Sequence, residues 1–456
     1  MVQVFDNIDN LPQLNSLQEV GEDNERHCNL PPVEATMKDK ADDQDNGVTV
    51  VSLESLMTAK DLFLNHAKAV NNIMRAMDAH SSLIVDVGEA NAKILHNMWQ
   101  ATDDFFATPD LLSTANPAVP AMTVAPEAGS KHAVVGFAAY EEGAVQFLET
   151  RIQRKNQALL PVEASEIVSK NDNHHPKNNH NNNQDNSIVQ AFQVMAKIGK
   201  TICTLATAAA TVESNYNNKN KISRESAYKM ASQMTQELLD DGTSIDHDND
   251  DDDNEEFDTA VSMSLHHMCR YSSLNNYTVA KNTAAKEVFG AHTDTSFLTI
   301  VPAAAVLGLE IFDGAAWTRP ELTTRRHYNN NNRGRRQIPW HCRYVVVMTG
   351  ELLQLSTRGM IRAAVHRVVA VTNGEARQSA PVHLWARTNR EMDIIRYFVG
   401  ESGPNKRNTK SVGELLLECD RMTMEHIHDA LQSLKYIYSN YISNNQYFTY
   451  ISNNYI

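Results

Sequence analysis

Between Phe297 and Ala386 the sequence breaks into short runs rich in apolar and β-branched residues: Phe297 to Val301, Leu309 to Phe312, Tyr344 to Met348, Leu352 to Leu355, Ala363 to Val371 and Pro381 to Ala386. Gly308, Gly314, Gly350, Gly359 and Gly374 separate them. Runs this short, punctuated this often by the residue that tolerates tight turns, predict strands. Their spacing predicts an antiparallel β-barrel or jelly roll.

The N-terminal half has another rhythm. Val48, Val50 and Val51 read as a short strand, and Leu53 to Met77 places apolar residues at helical spacing. Ser81 to Val87 reads as a strand, and Ile94 to Phe106 as a second helix. Val134 to Phe137 and Gln146 to Leu148 read as small strands, Ser187 to Thr211 as the strongest helix in the chain, and Ser223 to Leu239 as another. In the C-terminal region, Ser411 with Glu414 three residues on forms a capping box that opens a helix through Met422 to Leu434. The expected class is α+β with a mainly β core, a helical N-terminal layer and a C-terminal helix.

The expected organisation is a disordered leader over 1–46 and a mostly helical region over 47–239, interrupted by an Asn- and His-rich insert at 169–186. An acidic disordered spacer follows at 240–258, then a catalytic β domain over 259–400 with a basic Asn-rich insert at 323–339, read as a surface excursion on a hairpin. A helix over 401–435 and a Tyr/Asn-rich tail over 436–456 complete the chain. His174, His175 and His180 in the first insert read as part of a flexible spacer.

The formal charge of −15 is localised, because Asp240 to Asp258 holds eleven acidic side chains and no Lys or Arg. That pattern gives no support to a nucleic-acid footprint, which needs a basic face. Five scattered cysteines, an odd number, argue against a disulfide framework and fit a reducing compartment. Met1 to Leu11 lacks a secretory pattern, and no apolar run reaches the length of about 18 residues that a membrane span needs. A monomeric cytoplasmic protein with a small-molecule substrate, and neither nucleic acid nor membrane as partner, is the expectation.

Three side chains in the β region carry metal chemistry. His292 and Asp294 share one face of an extended segment because strand side chains alternate with period two, and His366 opens another apolar strand. Two imidazoles and one carboxylate on one face suit non-haem Fe(II), since they leave coordination positions open. Arg377 and Ser379 again share a face, and an Arg fork beside a hydroxyl suits an acidic co-substrate. His266, His267, His341 and His383 have no spacing that makes them ligands, and Trp317 reads as packing.

The segments His292-Thr293-Asp294-Thr295-Ser296-Phe297-Leu298-Thr299, Gly350-Glu351-Leu352-Leu353-Gln354, His366-Arg367-Val368 and Arg377-Gln378-Ser379 resemble the C-terminal motifs of the Fe(II)/2-oxoglutarate-dependent dioxygenases of the isopenicillin N synthase-like group. The resemblance extends to Val48 through Phe106. It implies a double-stranded β-helix core, with iron held by His292, Asp294 and His366 and the far carboxylate of 2-oxoglutarate paired with Arg377 and Ser379. It also implies O2 as oxidant, ascorbate as a candidate reductant, and oxidation of a small organic molecule, hydroxylation by default, with release of succinate and CO2. The intact Asp294 argues against halogenation.

Two departures stand out. Seventy-one residues separate Asp294 from His366, longer than the group's usual spacing. The Tyr that helps hold the keto-acid end in such enzymes has Tyr271, in Cys269-Arg270-Tyr271-Ser272-Ser273, as its candidate here. The rival readings are an iron oxidase that dispenses with 2-oxoglutarate and a catalytically silent binding protein on the same fold.

Overall fold

The computed structural model describes residues 48–65, 67–107, 136–140, 145–154, 158–160, 187–214, 222–243, 261–271, 287–331, 338–357, 359–369, 375–387, 390–393 and 421–423. The expected leader, the His-rich insert and the tail lie outside these residues, as does nearly all of the expected C-terminal helix.

Chain order begins with β1 (Val50–Ser52), α1 (Leu53–Met57), α2 (Ala59–Asn65), α3 (Ala67–His80), β2 (Ser82–Asp86) and α4 (Gly88–Phe106). Next come β3 (Gly136–Tyr140), β4 (Val145–Gln153), β5 (Ala158–Leu160), α5 (Ser187–Ser214) and α6 (Arg224–Leu238). The remainder is β6 (Val261–Tyr271), β7 (Glu287–His292), β8 (Leu298–Pro302), β9 (Leu309–Phe312), β10 (Trp317–Thr318), α7 (Pro320–Asn331), β11 (Tyr344–Thr349), α8 (Glu351–Ser356), β12 (His366–Val369), β13 (Arg377–Ser379), β14 (Val382–Leu384), β15 (Glu391–Asp393) and β16 (Arg421–Thr423).

Ten strands form one mixed sheet in the order β1-β2-β11-β8-β14-β6-β4-β3, with β13 also on β6 and β5 on β4. A four-stranded sheet, β10-β9-β12-β7, lies against it. Alternation sorts the large sheet's side chains into two cores. Leu83, Val85, Val345, Val347, Leu298, Ile300, Val382 and Leu384 pack with α4 and α5, whereas Ile84, Val301, Val346 and Met348 pack with Leu309 and Ile311 of the small sheet. With both faces covered, β11 is buried at every residue, which explains its unbroken apolar run.

The strongest sequence helix, α5, is inserted between the large sheet and the other helices. Ile188, Phe192, Met195, Ile198, Ile202 and Leu205 are each at most 1 % exposed. Burial of side chains of this size contributes about 1.5–3 kcal/mol each. No described helix is long and apolar enough to cross a membrane.

Several expectations need correction. Leu352 to Leu355 forms helix, not strand: at the start of α8, backbone N–H groups find carbonyls waiting across the fold, with Glu351 N on Asp294 O at 2.8 Å and Leu352 N on Ser296 O at 3.2 Å. The 323–339 insert is no hairpin excursion over its first part, because Thr323 to Asn331 belongs to α7, which buries Glu321 and Thr324. The single helix read from Leu53 to Met77 is three, α1 to α3.

The spacer read from 240 opens with structural residues. Asp240 is fully buried, pairs with Arg154, and accepts the Met263 N–H at 2.6 Å, so these first acids tie α6 to β4 and β6. Arg421 to Thr423 is a strand paired with Glu391 to Asp393 where the C-terminal helix was expected. The local alternation Arg-Met-Thr-Met has period two, which competes with the helical stripe. Strands β1 to β5, read as part of a helical region, hydrogen-bond into the large sheet.

Gly350 faces the turn that carries Asp294. Its N–H bonds Phe297 O at 2.9 Å, and a Cβ there would lie 1.9 Å from the Ser296 carbonyl oxygen. Gly350→Ala is therefore expected to displace this turn and cost about 1–3 kcal/mol, the usual range for overpacking. Chemical denaturation reads the stability, and metal affinity should fall with it.

Candidate metal and co-substrate site

The small sheet builds most of the metal cluster. His292 ends β7 and His366 opens β12, and the two are register partners, with ring centroids 4.2 Å apart. Asp294 lies just past β7 in the turn that Gly350 and Glu351 hold. Its Oδ1 is 3.6 Å from His292 Nε2 and its Oδ2 is 3.6 Å from His366 Nε2. One ligand atom from each of the three lies within 4.8 Å of the others, and this is the one such group among the described residues.

Backbone carbonyls orient both imidazoles. His292 Nδ1 is 2.8 Å from Gly290 O, and His366 Nδ1 is 3.0 Å from Ala364 O. A carbonyl only accepts, so Nδ1 carries a proton in each ring and Nε2 is the nitrogen turned toward Asp294. Burial works to raise the Asp294 carboxyl, but His366, His383 and His292 around it, with the Thr299 hydroxyl, hold it well below the usual carboxylate range. Thr299 Oγ1 donates to Asp294 Oδ2 at 2.5 Å. Two imidazoles and an ionised carboxylate converging on one point are the donor set a divalent first-row metal takes.

The large sheet supplies the second half. Arg377 is the register partner of Tyr271, and Ser379 of Cys269, so these four side chains share one face. Tyr271 and Cys269 pack with Val368 of β12 and Phe289 of β7, and the Phe289 ring lies 4.7 Å from His292. Burial pushes the Tyr271 hydroxyl well above its usual range, so it stays a proton donor. Arg377 Nη1 donates to Gln378 O at 3.1 Å and Val306 O at 3.4 Å, and Nη2 to Glu321 at 3.0 Å. Its Nε is buried without an acceptor. Gly308 faces that atom, and a Cβ at Gly308 would sit 2.7 Å from it. A buried guanidinium N–H without an acceptor is a donor that a carboxylate can satisfy.

Two histidines read as having no ligand spacing belong to this site. His383 Nδ1 lies 3.2 Å from Thr299 Oγ1 and 3.7 Å from Asp294 Oδ2. Burial, opposed by Asp294, lowers His383 to about 4. His267 contacts the His383 ring edge-on at 5.3 Å and bonds Glu149 Oε2 through Nε2 at 2.9 Å. Period two along β6 puts His267 on the face of Cys269 and Tyr271; that signal was in the sequence, but the pairing with β14 was not. His266 points to the opposite, helix-covered face with its register partner Val382. His341 lies against Trp99 and Trp340, away from the cluster, and Trp317 packs under the Arg367 guanidinium at 4.0 Å.

Residues 266–384 match the family model of the 2OG-Fe(II) oxygenase superfamily. The stretch that builds the site is a domain of that superfamily. The protein is an oxidoreductase of the non-haem Fe(II)/2-oxoglutarate dioxygenase type, and its cofactors are Fe(II), 2-oxoglutarate and O2. No curated protein matches the chain. Among solved structures, it is similar to a full-length Neurospora crassa protein in complex with alpha-KG and 5-formyluracil, at 10 % identity over 84 % of this chain and 94 % of that one, with TM-score 0.49. It is also similar to the rice dioxygenase for auxin oxidation, at 12 % identity over 85 % and 96 %, TM-score 0.46. An Arabidopsis thaliana dioxygenase for auxin oxidation in complex with 2-oxoglutarate gives 13 % identity over 75 % and 94 %, TM-score 0.42.

Proposed function

We propose that His292, Asp294 and His366 are the Fe(II) ligands, that Arg377, Ser379 and Tyr271 receive the far carboxylate of 2-oxoglutarate, and that the enzyme hydroxylates a small organic molecule with release of succinate and CO2. The two facing sheets are read as a double-stranded β-helix of the isopenicillin N synthase-like group. The observation that carries this reading is the convergence of three ligand atoms within 4.8 Å on the small sheet, with an unpaired, buried Arg377 Nε on the large one.

The iron, when bound with the keto acid, supplies the activation of O2. The chain's residues do the positioning. Nδ1–H bonds to Gly290 and Ala364 carbonyls keep both imidazoles in the metal-binding tautomer, and Thr299 fixes the Asp294 carboxylate. Arg377 and the Tyr271 hydroxyl would donate to the far carboxylate and so orient the co-substrate. In this reading Tyr271 serves the far carboxylate instead of the keto-acid end, because its register puts it level with Arg377. Phe147, Phe289 and Val368 pack with Tyr271 and Cys269 as an apolar cluster beside the site.

Succinate measured against consumed 2-oxoglutarate, across a panel of small carboxylic acids, phenols and heterocycles, tests the proposal. Equimolar succinate and oxidised product support it. Product formed without succinate would instead identify an oxidase that takes all its electrons from the organic substrate.

A further inference from the structure

Glu321 lies outside every sequence motif of the site, in the first turn of α7, and is 1 % exposed. Its carboxylate accepts four hydrogen bonds: from Gly308 N at 2.8 Å, Leu309 N at 3.1 Å, Ala304 N at 3.3 Å and Arg377 Nη2 at 3.0 Å. Three of these donors are main chain, in the turn after β8 and at the first residue of β9. The carboxylate is therefore held in place whether or not Arg377 is there. On its other side, the guanidinium is held through Nη1 by the Val306 and Gln378 carbonyls. An Arg side chain has rotamer entropy to lose on being ordered, and here protein groups have already ordered it. These contacts leave the Nε–H and the second Nη2–H, and Nε is buried without an acceptor.

We propose that Glu321 is a positioning residue for the co-substrate: it locks the Arg377 guanidinium in the orientation that presents its remaining N–H groups to the far carboxylate of 2-oxoglutarate. The proposal rests on Arg377 being the carboxylate-binding residue. It also gives α7 a purpose. This helix occupies the stretch that lengthens the His292–His366 segment, and its first turn delivers the carboxylate that sets the co-substrate's anchor. A competing role, in which Glu321 occupies Arg377 and must be displaced, predicts the opposite sign.

The test is anaerobic titration of the full-length, Fe(II)-loaded protein with 2-oxoglutarate and, separately, with 2-oxobutyrate, which has the same keto-acid end and no far carboxylate. Glu321→Gln keeps the shape and removes the charge. It should weaken 2-oxoglutarate about tenfold or more, because pre-organisation is lost. Affinity for 2-oxobutyrate and for Fe(II) should stay as in the wild type. Unchanged or tighter 2-oxoglutarate binding would overturn the proposal, and so would equal weakening of both keto acids, which is what general loosening of the fold produces. If Glu321→Gln does not fold, Glu321→Asp keeps the charge but pulls it back by one methylene, and the same loss of preference for 2-oxoglutarate over 2-oxobutyrate is expected. Failure of the wild type to prefer 2-oxoglutarate would instead defeat the assignment of Arg377 itself.

Discussion

His366→Ala should lose Fe(II) while keeping the fold. The imidazole contributes one of three ligand atoms and reaches the cluster from the start of β12, where His292 and Ile311 flank it across the small sheet. Outer-shell groups around a metal typically cost about 10–100-fold in affinity when removed, so loss of a ligand should exceed that range. Truncation leaves a small gap among packed strands, and the β12 hydrogen bonds do not involve the side chain. Competition of Fe(II) against a chelator reads the affinity, and far-UV circular dichroism reads the fold. Wild-type iron affinity in a folded His366→Ala variant would place the metal elsewhere.

Arg377→Ala has two expected consequences, because this side chain is engaged at both ends. Co-substrate affinity should fall by roughly 2–5 kcal/mol, the cost of truncating one partner of a buried, hydrogen-bonded charge pair. Stability should also fall, by roughly 3–5 kcal/mol, because Glu321 keeps its buried charge without its cation. The three backbone donors on Glu321 place the expected loss near the lower figure. Calorimetric titration of 2-oxoglutarate and urea denaturation separate the two. Lost stability with wild-type co-substrate affinity would make Arg377 purely structural.

The clustering of His292, Asp294 and His366 was legible in the sequence because its information is local. His292 and Asp294 are two residues apart on an extended segment, and a second imidazole heading an apolar strand is recognisable by itself. Arg377 and Ser379 are legible for the same reason. What could not be read are partnerships made across the chain. Glu321 meets Arg377 over a separation of 56 residues, and His267 meets Glu149 over 118. Neither pair has a spacing signature, because sheet order sets the distance. In the same way, Leu352 to Leu355 is a short apolar run that suits strand or helix equally. The carbonyls of the Asp294 turn, more than fifty residues earlier, decide for helix. The large sheet was likewise split in the sequence reading, because β1 to β5 lie among helices in the chain but pair with strands far downstream.

Iron held through His292, Asp294 and His366, with Arg377 anchoring a keto acid beside it, has a direct optical consequence. Chelation of Fe(II) by a 2-oxo acid produces a weak visible charge-transfer band, so anaerobic titration of the Fe(II)-loaded protein with 2-oxoglutarate is the decisive measurement. The expected result is a saturable band that is absent in His366→Ala and needs far higher 2-oxoglutarate in Arg377→Ala. Iron bound tightly with no band at any 2-oxoglutarate concentration would contradict this assignment.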